Sequence, residues 1–234
     1  MLALAITMVL IAGCAGTNGN GANRGPEPDA IPSGGQEERS RLSDPIKPVN
    51  WVFFKFNDAF HGWIMEPVSR GYGFVMPGLC RRGVRNFFQN LKFPVRVVNS
   101  ILQADAQAAG VTFARFCTNT TVGVLGFGDP ATHWLELEPR RKDFGQTLAV
   151  YGLGPGFYIT WPLFGPSTVR GTCGTIVDKP LYPPTYVHGL TLYKRINSTS
   201  FHPDRYDKMK EAGPDPYTSI KEAYWERRQR FLKE

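Results

Sequence analysis

The sequence predicts an all-α domain of short amphipathic helices preceded by a flexible tether. Three observations carry that reading. Apolar residues recur at helical spacing in one segment after another. Pro and Gly, 19 and 25 of the 234 residues, stand at the joints and forbid a few long helices. The one strand-like stretch, Tyr158–Trp161, has no second strand in view to pair with it.

Residues 14–43 are rich in Gly, Asn, Pro, Ser and charge and nearly empty of large apolar side chains. Such a segment buries too little surface to offset ordering, so it reads as a linker, with the folded domain at 44–234. Trp51 to Phe60 carries Trp51, Val52, Phe53, Phe54, Phe56 and Phe60 around most of a helix, which is then buried or faces lipid. Arg82 to Leu91 places Val84, Phe87, Phe88 and Leu91 on one stripe. Pro94 opens a third helix at a position where a missing N–H costs nothing, with Val95, Val98, Ile101 and Leu102 as its stripe. Asp105 caps a fourth, running to about Thr121. Gly123 to Arg141 has turn chemistry throughout and reads as a long loop. Asp143 caps a helix through Leu148 and Val150 that Gly152 ends. Pro166 and Ser167 start a segment weakened by Gly171 and Gly174. Asp215-Pro216 opens the last helix, whose polar face holds Arg227, Arg228, Arg230 and Lys233.

Residues 1–13 form an uncharged apolar run, shorter than the roughly 20 residues a bilayer span needs and of the right length for an export signal. It ends in Ile11-Ala12-Gly13-Cys14, which resembles a bacterial lipobox, so 1–13 is expected to be a signal peptide and Cys14 the lipid-attachment residue. Each buried acyl methylene contributes roughly 0.8 kcal/mol, enough for several chains to hold a protein on a membrane. No Lys or Arg precedes the run, so either the start codon lies upstream of Met1 or the signal is atypical. Ala15, in place of an Asp, is compatible with the outer membrane. Cys80, Cys117 and Cys173 are an odd set, readable as one disulfide plus one buried thiol or as three buried thiols.

The net charge of +7 suits an acidic partner. Its interleaving with Phe and Trp fits a lipid surface better than a nucleic-acid groove. Catalytic and cofactor chemistry find little support. Gly152-x-Gly154-x-Gly156 follows a helix and contains Pro155, whereas a nucleotide fingerprint runs strand, glycines, helix. His61, His133, His188 and His202 share no metal-ligand spacing. Ser167 lacks a nucleophile elbow and reads as a helix-start serine. The basic face of the last helix reads equally as solvated surface or as head-group contact.

From Ser43 to about Phe231 the chain resembles the MlaA (VacJ) lipoprotein family. The motifs run in order: Ser43-Asp44-Pro45, Asn50, Phe56-Asn57, Arg85-Asn86-Phe87, Asn90-Leu91, Pro94, Val98-Asn99 and Leu102-Gln103. Arg115-Phe116, Asn119-Thr120-Thr121, Gly123, Gly126 and Asp129 follow, then Asp143 through Leu148, Tyr151-Gly152 and Gly154. Leu163 to Arg170 and Asp215 through Tyr224 complete the set. Trp51, Phe157 and Gly171 depart from the family's usual Arg, Pro and Asp. The resemblance implies a ring-like bundle around a central channel, set in the inner leaflet of the outer membrane on its periplasmic side. It also implies a non-enzymatic lipoprotein, without cofactor or metal, that moves mislocalised glycerophospholipids to a periplasmic lipid-carrier protein. Trimeric porins are the other implied partners, and nucleic acid is not one. A porin-associated structural lipoprotein without transport is the alternative. Phe56, Asn57, Asn119, Asp143, Gly152 and Gly154 are the expected channel or ring-stability residues, with Gly152 to Gly156 as a channel-side loop.

Overall fold

The computed structural model describes residues 42–233. Cys14, the apolar run 1–13 and nearly all of the 14–43 linker lie outside the described residues. Helix α1 is Lys47–Phe60, beginning four residues before the expected Trp51 because Pro48 suits a first helical turn. It continues without a break through a π-helical turn, His61–Met65, into α2, Glu66–Val75. Pro67 gives the physical reason: it has no N–H for the carbonyl four residues back, and its ring would crowd that carbonyl, so a wider turn relieves the clash.

Then come α3, Gly78–Asn90, α4, Phe93–Leu102, and α5, Ala106–Thr121. The Asp105 carboxylate caps α5 by accepting the Ala108 N–H at 2.8 Å. The loop expected at 123–141 contains a helix, α6, Pro130–Leu135, opened by Asp129 and Pro130. Helix α7, Phe144–Val150, starts with a full capping box between Asp143 and Gln146.

The strand expected to lack a partner has one. β1, Tyr158–Trp161, pairs antiparallel with β2, Gly165–Thr168, from Tyr158 opposite Thr168 to Trp161 opposite Gly165. Ser167 therefore lies in a strand, and Thr168 caps the following helix α8, Val169–Asp178, by accepting the Gly171 N–H at 3.1 Å. Gly174 is there for close approach: a Cβ on it would stand 2.4 Å from the Gly145 nitrogen, so α7 and α8 cross almost backbone to backbone. Two 3-10 turns, Lys179–Leu181 and Pro183–Tyr186, lead to α9, Leu190–Thr199, α10, Arg205–Lys210, and α11, Pro216–Leu232.

The packing order closes on itself. Helix α1 leads through the π turn to α2, which packs on α9; α9 packs on α3, α3 on α5, α5 on α4, α4 on α7, α7 on α8, α8 on β2, and the β1–β2 hairpin back on α1. The result is a ring of short helices. Helix α11 rests across it, against β2, α7 and α10. One apolar cluster, Leu42, Phe54, Tyr158, Tyr217, Ile220 and Tyr224, fills the corner between α1, the hairpin and α11.

At four joints, this corner among them, buried asparagines tie the elements. Asn50 donates to Asp44 and the Tyr158 carbonyl and accepts the Thr160 N–H. Asn99 donates to Asp178 and accepts from the Thr147 hydroxyl, joining α4 to α7 and α8. Asn119 joins α5 to α6, and Asn197 accepts from Tyr72 and donates to the Arg81 carbonyl, joining α9 to α2 and α3. A buried amide with both ends satisfied fixes a joint geometrically where apolar packing alone would slide.

Several large apolar side chains are exposed to solvent instead. Trp63 is 85% exposed and Phe74 93%, and Leu79 and Trp134 are exposed with them, none of them lining either cavity of the ring. Among the described residues no helix is long and apolar enough to cross a membrane. Cys80, Cys117 and Cys173 are all free and exposed, which corrects the expectation of a disulfide or buried thiols. They sit on three separate helices, α3, α5 and α8.

Candidate functional site

Among the described residues, two cavities open between elements of the ring. The larger, about 680 Å³, is bounded by α1, the hairpin, α9, α10 and α11. Its wall is divided in character. Phe54, Tyr158, Phe164, Met209 and Ile220 supply apolar surface, while Arg195, Arg205, Arg227 and Arg230 supply cations, with Glu226 as the one carboxylate. The smaller, about 320 Å³, lies between α3, α4, α5 and the segment 139–141. Arg85, Arg96, Arg115, Arg140 and Arg141 line it, and Asp129 is its only acid. Arg141 lines both cavities, with its guanidinium 5.0 Å from the Phe231 ring centre.

The interior carries positive charge with little to balance it. Asp129 is already committed: it accepts both Arg115 bonds at 2.9 and 3.1 Å, Asn119 at 2.9 Å and the Thr132 hydroxyl at 2.8 Å. Burial alone would raise its carboxyl, but those hydrogen bonds and the Arg115 charge outweigh burial and hold it below the ordinary range. Burial lowers Arg96 to about 10, with Arg115 and Arg141 adding to the effect. Lys92 is pushed down to about 7, first by burial and then by Lys194, Arg96 and Arg141. Burial lowers Lys194, Arg195 and Arg227 as well. Arg227 nevertheless keeps exposed surface. It lies on the wall of the larger cavity, with protein around it and one side open.

The residues singled out in the sequence do not converge on one point. Asn57 lines the larger cavity and clasps the hairpin turn, donating to the Trp161 carbonyl at 2.9 Å and accepting the Leu163 N–H at 2.6 Å. Phe56, its neighbour, is half-exposed. Asn119 lines the smaller cavity. Asp143 lies where α7 meets α11: it caps α7 and receives both ends of the Arg228 guanidinium, at 2.6 and 3.2 Å. Gly152, with φ +84°, and Gly154 are exposed with open space beside them and line neither of these cavities. The basic face of the last helix is not simply solvated. Arg227 and Arg230 line the larger cavity, and Arg228 is bound to Asp143.

A model of the MlaA lipoprotein family matches residues 42–231. The chain belongs to the MlaA lipoprotein family. The intermembrane phospholipid transport system lipoprotein MlaA of Shigella flexneri is 33% identical, over 96% of this chain and 85% of that protein. Its Escherichia coli K12 counterpart is 32% identical with the same coverage. A solved structure reported under "Structural basis for maintenance of bacterial outer membrane lipid asymmetry" superposes with a TM-score of 0.71 at 31% identity, covering 81% of this chain and 99% of that one.

Of the three positions that depart from the residues expected by resemblance, only Gly171 has a steric reason in the structure. Trp51 is half-exposed, with the Lys55 ammonium 5.4 Å from its ring centre. A Cβ at Gly171 would lie 3.1 Å from the Tyr224 hydroxyl and 3.2 Å from both Ser167 and Thr168 oxygens, so any larger side chain is crowded there. The Phe157 carbonyl accepts the Val169 N–H at 3.2 Å. Of the cavity-wall arginines, the sequence marks Arg227 and Arg230 on the polar face of the last helix and Arg85 and Arg115 within the family motifs. Arg96, Arg140, Arg141, Arg195 and Arg205 left only the net charge of +7 as a trace, because they come from elements far apart in the chain and share no local pattern.

Proposed function

We propose that this chain is an outer-membrane lipoprotein, anchored through Cys14 after removal of residues 1–13 and facing the periplasm. It moves mislocalised glycerophospholipids from the outer leaflet to a periplasmic lipid carrier. The observation that carries this reading is the inversion of the ring: large apolar side chains outside, a cation-lined hollow inside. A phospholipid has the matching division. Its acyl chains suit the apolar exterior and its phosphate the arginines, so the hollow offers the head group a path that avoids hydrocarbon. The family relatives named for intermembrane phospholipid transport support the same reading. Asn57, holding the hairpin beside the larger cavity, and Asn119, holding the wall of the smaller one, are assigned to keeping the passage open. Trimeric porin, as a lateral neighbour in the membrane, and the carrier beneath it are the proposed partners.

Catalysis is not part of the proposal. The Ser167 hydroxyl is 3.1 Å from that of Thr172 and 3.3 Å from the Thr168 carbonyl, so its hydrogen bonds are made within the fold. In a strain lacking the gene, outer-leaflet phospholipid should rise and detergent resistance fall, with both restored by the wild-type protein and not by Cys14→Ala. A deletion strain with normal lipid asymmetry would overturn transport and leave the porin-associated structural role. Phospholipid cleavage by the purified protein, abolished by Ser167→Ala, would overturn it in favour of an enzyme.

A further inference from the structure

The smaller cavity has a character the larger one lacks. At about 320 Å³ it stands at the low end of ligand-pocket sizes, roomy enough for a polar head and too small for acyl chains as well. Five guanidinium groups line it, and its one carboxylate is spent on Arg115, Asn119 and Thr132. Among the described residues Arg85, Arg140 and Arg141 have no carboxylate partner; Arg85 and Arg141 stack on Phe201 and Phe231 instead. Arg96 is aimed by the Gln89 side chain at 2.6 Å, a neutral partner that leaves its charge unbalanced. Thr112 adds an independent sign. The residue lines the cavity and is nine-tenths buried, and its hydroxyl has no hydrogen-bond partner. An unpaired buried donor beside crowded guanidiniums is the arrangement an oxyanion completes.

We infer that this cavity is a docking site for the phosphodiester of a lipid head group, and that it selects heads without a cation, of the phosphatidylglycerol type, over ammonium-bearing heads. The assignment rests on the reading that lipids traverse the ring, and it names which lipids do so. A phosphodiester brings one negative charge and several acceptor oxygens to Arg85, Arg96, Arg140, Arg141 and Thr112. A head carrying an ammonium brings a positive charge into the same space, where no free carboxylate receives it. Hydroxyls of a glycerol head meet no such repulsion. Arg141 lines both cavities, so a phosphate held there stands at the border of the larger one.

The test uses full-length lipoprotein, purified in detergent, stripped of lipid and mixed with equimolar phosphatidylglycerol and phosphatidylethanolamine. Retained lipids are quantified by mass spectrometry. Wild type should retain phosphatidylglycerol in about tenfold excess, equivalent to about 1.4 kcal/mol. The double variant Arg140→Gln/Arg141→Gln should lose the preference while still holding lipid, and Arg140→Glu/Arg141→Glu should reverse it, which a merely misfolded ring would not do. Equal retention by wild type, or an unchanged preference in both variants, sinks the assignment and leaves lipid passage standing. Retention of neither lipid sinks passage and site together. Titration of stripped protein with inorganic phosphate separates the remaining source: phosphate binding that the variants abolish, without any lipid preference in wild type, makes this a site for free phosphate and overturns the lipid assignment.

Discussion

Replacing Asp143 by Ala should destabilise the domain by about 2–3 kcal/mol, because one carboxylate serves two elements at once. Its Oδ1 accepts the Gln146 N–H at 2.9 Å as the cap of α7, and losing such a cap costs about 1 kcal/mol. The same carboxylate receives Arg228 of α11 through two bonds. Arg228 is largely buried while the Asp143 side chain is about a third exposed (14% and 35%). The 3–5 kcal/mol lost when a fully buried pair is broken must therefore be discounted for solvent screening to about 1–2 kcal/mol. Burial alone would lower the Arg228 pKa; the Asp143 hydrogen bond and charge outweigh it and raise the value. Asp143→Asn, a competent cap without charge, should lose only the second contribution. The assay is urea unfolding in a mild non-ionic detergent, followed by far-UV circular dichroism, on Asp143→Ala, Arg228→Met and the double variant. A coupling energy of about 1–2 kcal/mol is expected from the cycle. Additive losses, with coupling under about 0.3 kcal/mol, would refute the claim that this ion pair latches α11 to the ring.

Gly174→Ala should destabilise by about 2 kcal/mol or more, although Ala is favoured over Gly within a helix by about 1 kcal/mol, because the new Cβ meets Gly145 backbone at 2.4 Å; a raised melting temperature would contradict the close α7–α8 crossing. Lys92→Met should raise stability at pH 7 and flatten its pH dependence. With a folded value near 7 against 10.5 unfolded, the native state binds fewer protons across that window, so wild-type stability rises with pH from about 7 to about 10.5, while below 7 the full cost of the buried charge is felt. Denaturant midpoints at pH 7 and 9.5 would show it, and parallel shifts in wild type and variant would refute it. Asn57→Ala removes both clasps on the hairpin turn, each worth about 1 kcal/mol, and should speed hydrogen exchange at the Leu163 amide while leaving that of the buried α4 backbone unchanged.

What could be read from the sequence was whatever the chain encodes locally. Asp105, Asp143 and Asp215 were found as caps because a cap needs only the next three residues. The Asp129-Pro130 pair carries the same signal, but α6 is six residues long and gave no apolar period to confirm it. The second strand escaped because Gly165-Pro166-Ser167-Thr168 has poor strand propensity; it is tolerated as one side of an isolated hairpin, where β1 and the start of α8 hold it. The segment after Phe60 hid its helix behind Gly62, Pro67, Gly71 and Gly73. The ring joints were beyond any local rule. Asn50 meets a carbonyl 108 residues away, and Asn197 one 116 residues away. Asn57 and Asn119 were singled out through family resemblance, while Arg96, Arg140, Arg141, Arg195 and Arg205 belong to no motif that spacing could disclose.

The closing of the ring explains why so much polar chemistry is buried at its joints. A hollow with two walls cannot gather its apolar side chains into one core, and here the shared cluster is six residues at one corner. Trp63 and Phe74 would each contribute roughly 1.5–3 kcal/mol if buried, and in water that stabilisation is absent. The fold therefore relies on directional bonds at the joints, through Asn50, Asn99, Asn119 and Asn197; the proposed membrane setting would add an apolar medium around its outer face. The proposed setting would also account for the cations: with hydrocarbon outside, the hollow is where water and charge would remain, and arginines desolvated by their own crowding are stabilised most by an anion that reaches them. A phospholipid supplies that anion with its head and keeps its chains in contact with the surrounding apolar phase. One physical division, apolar outside and cationic inside, thus governs both how the ring holds together and what it can carry.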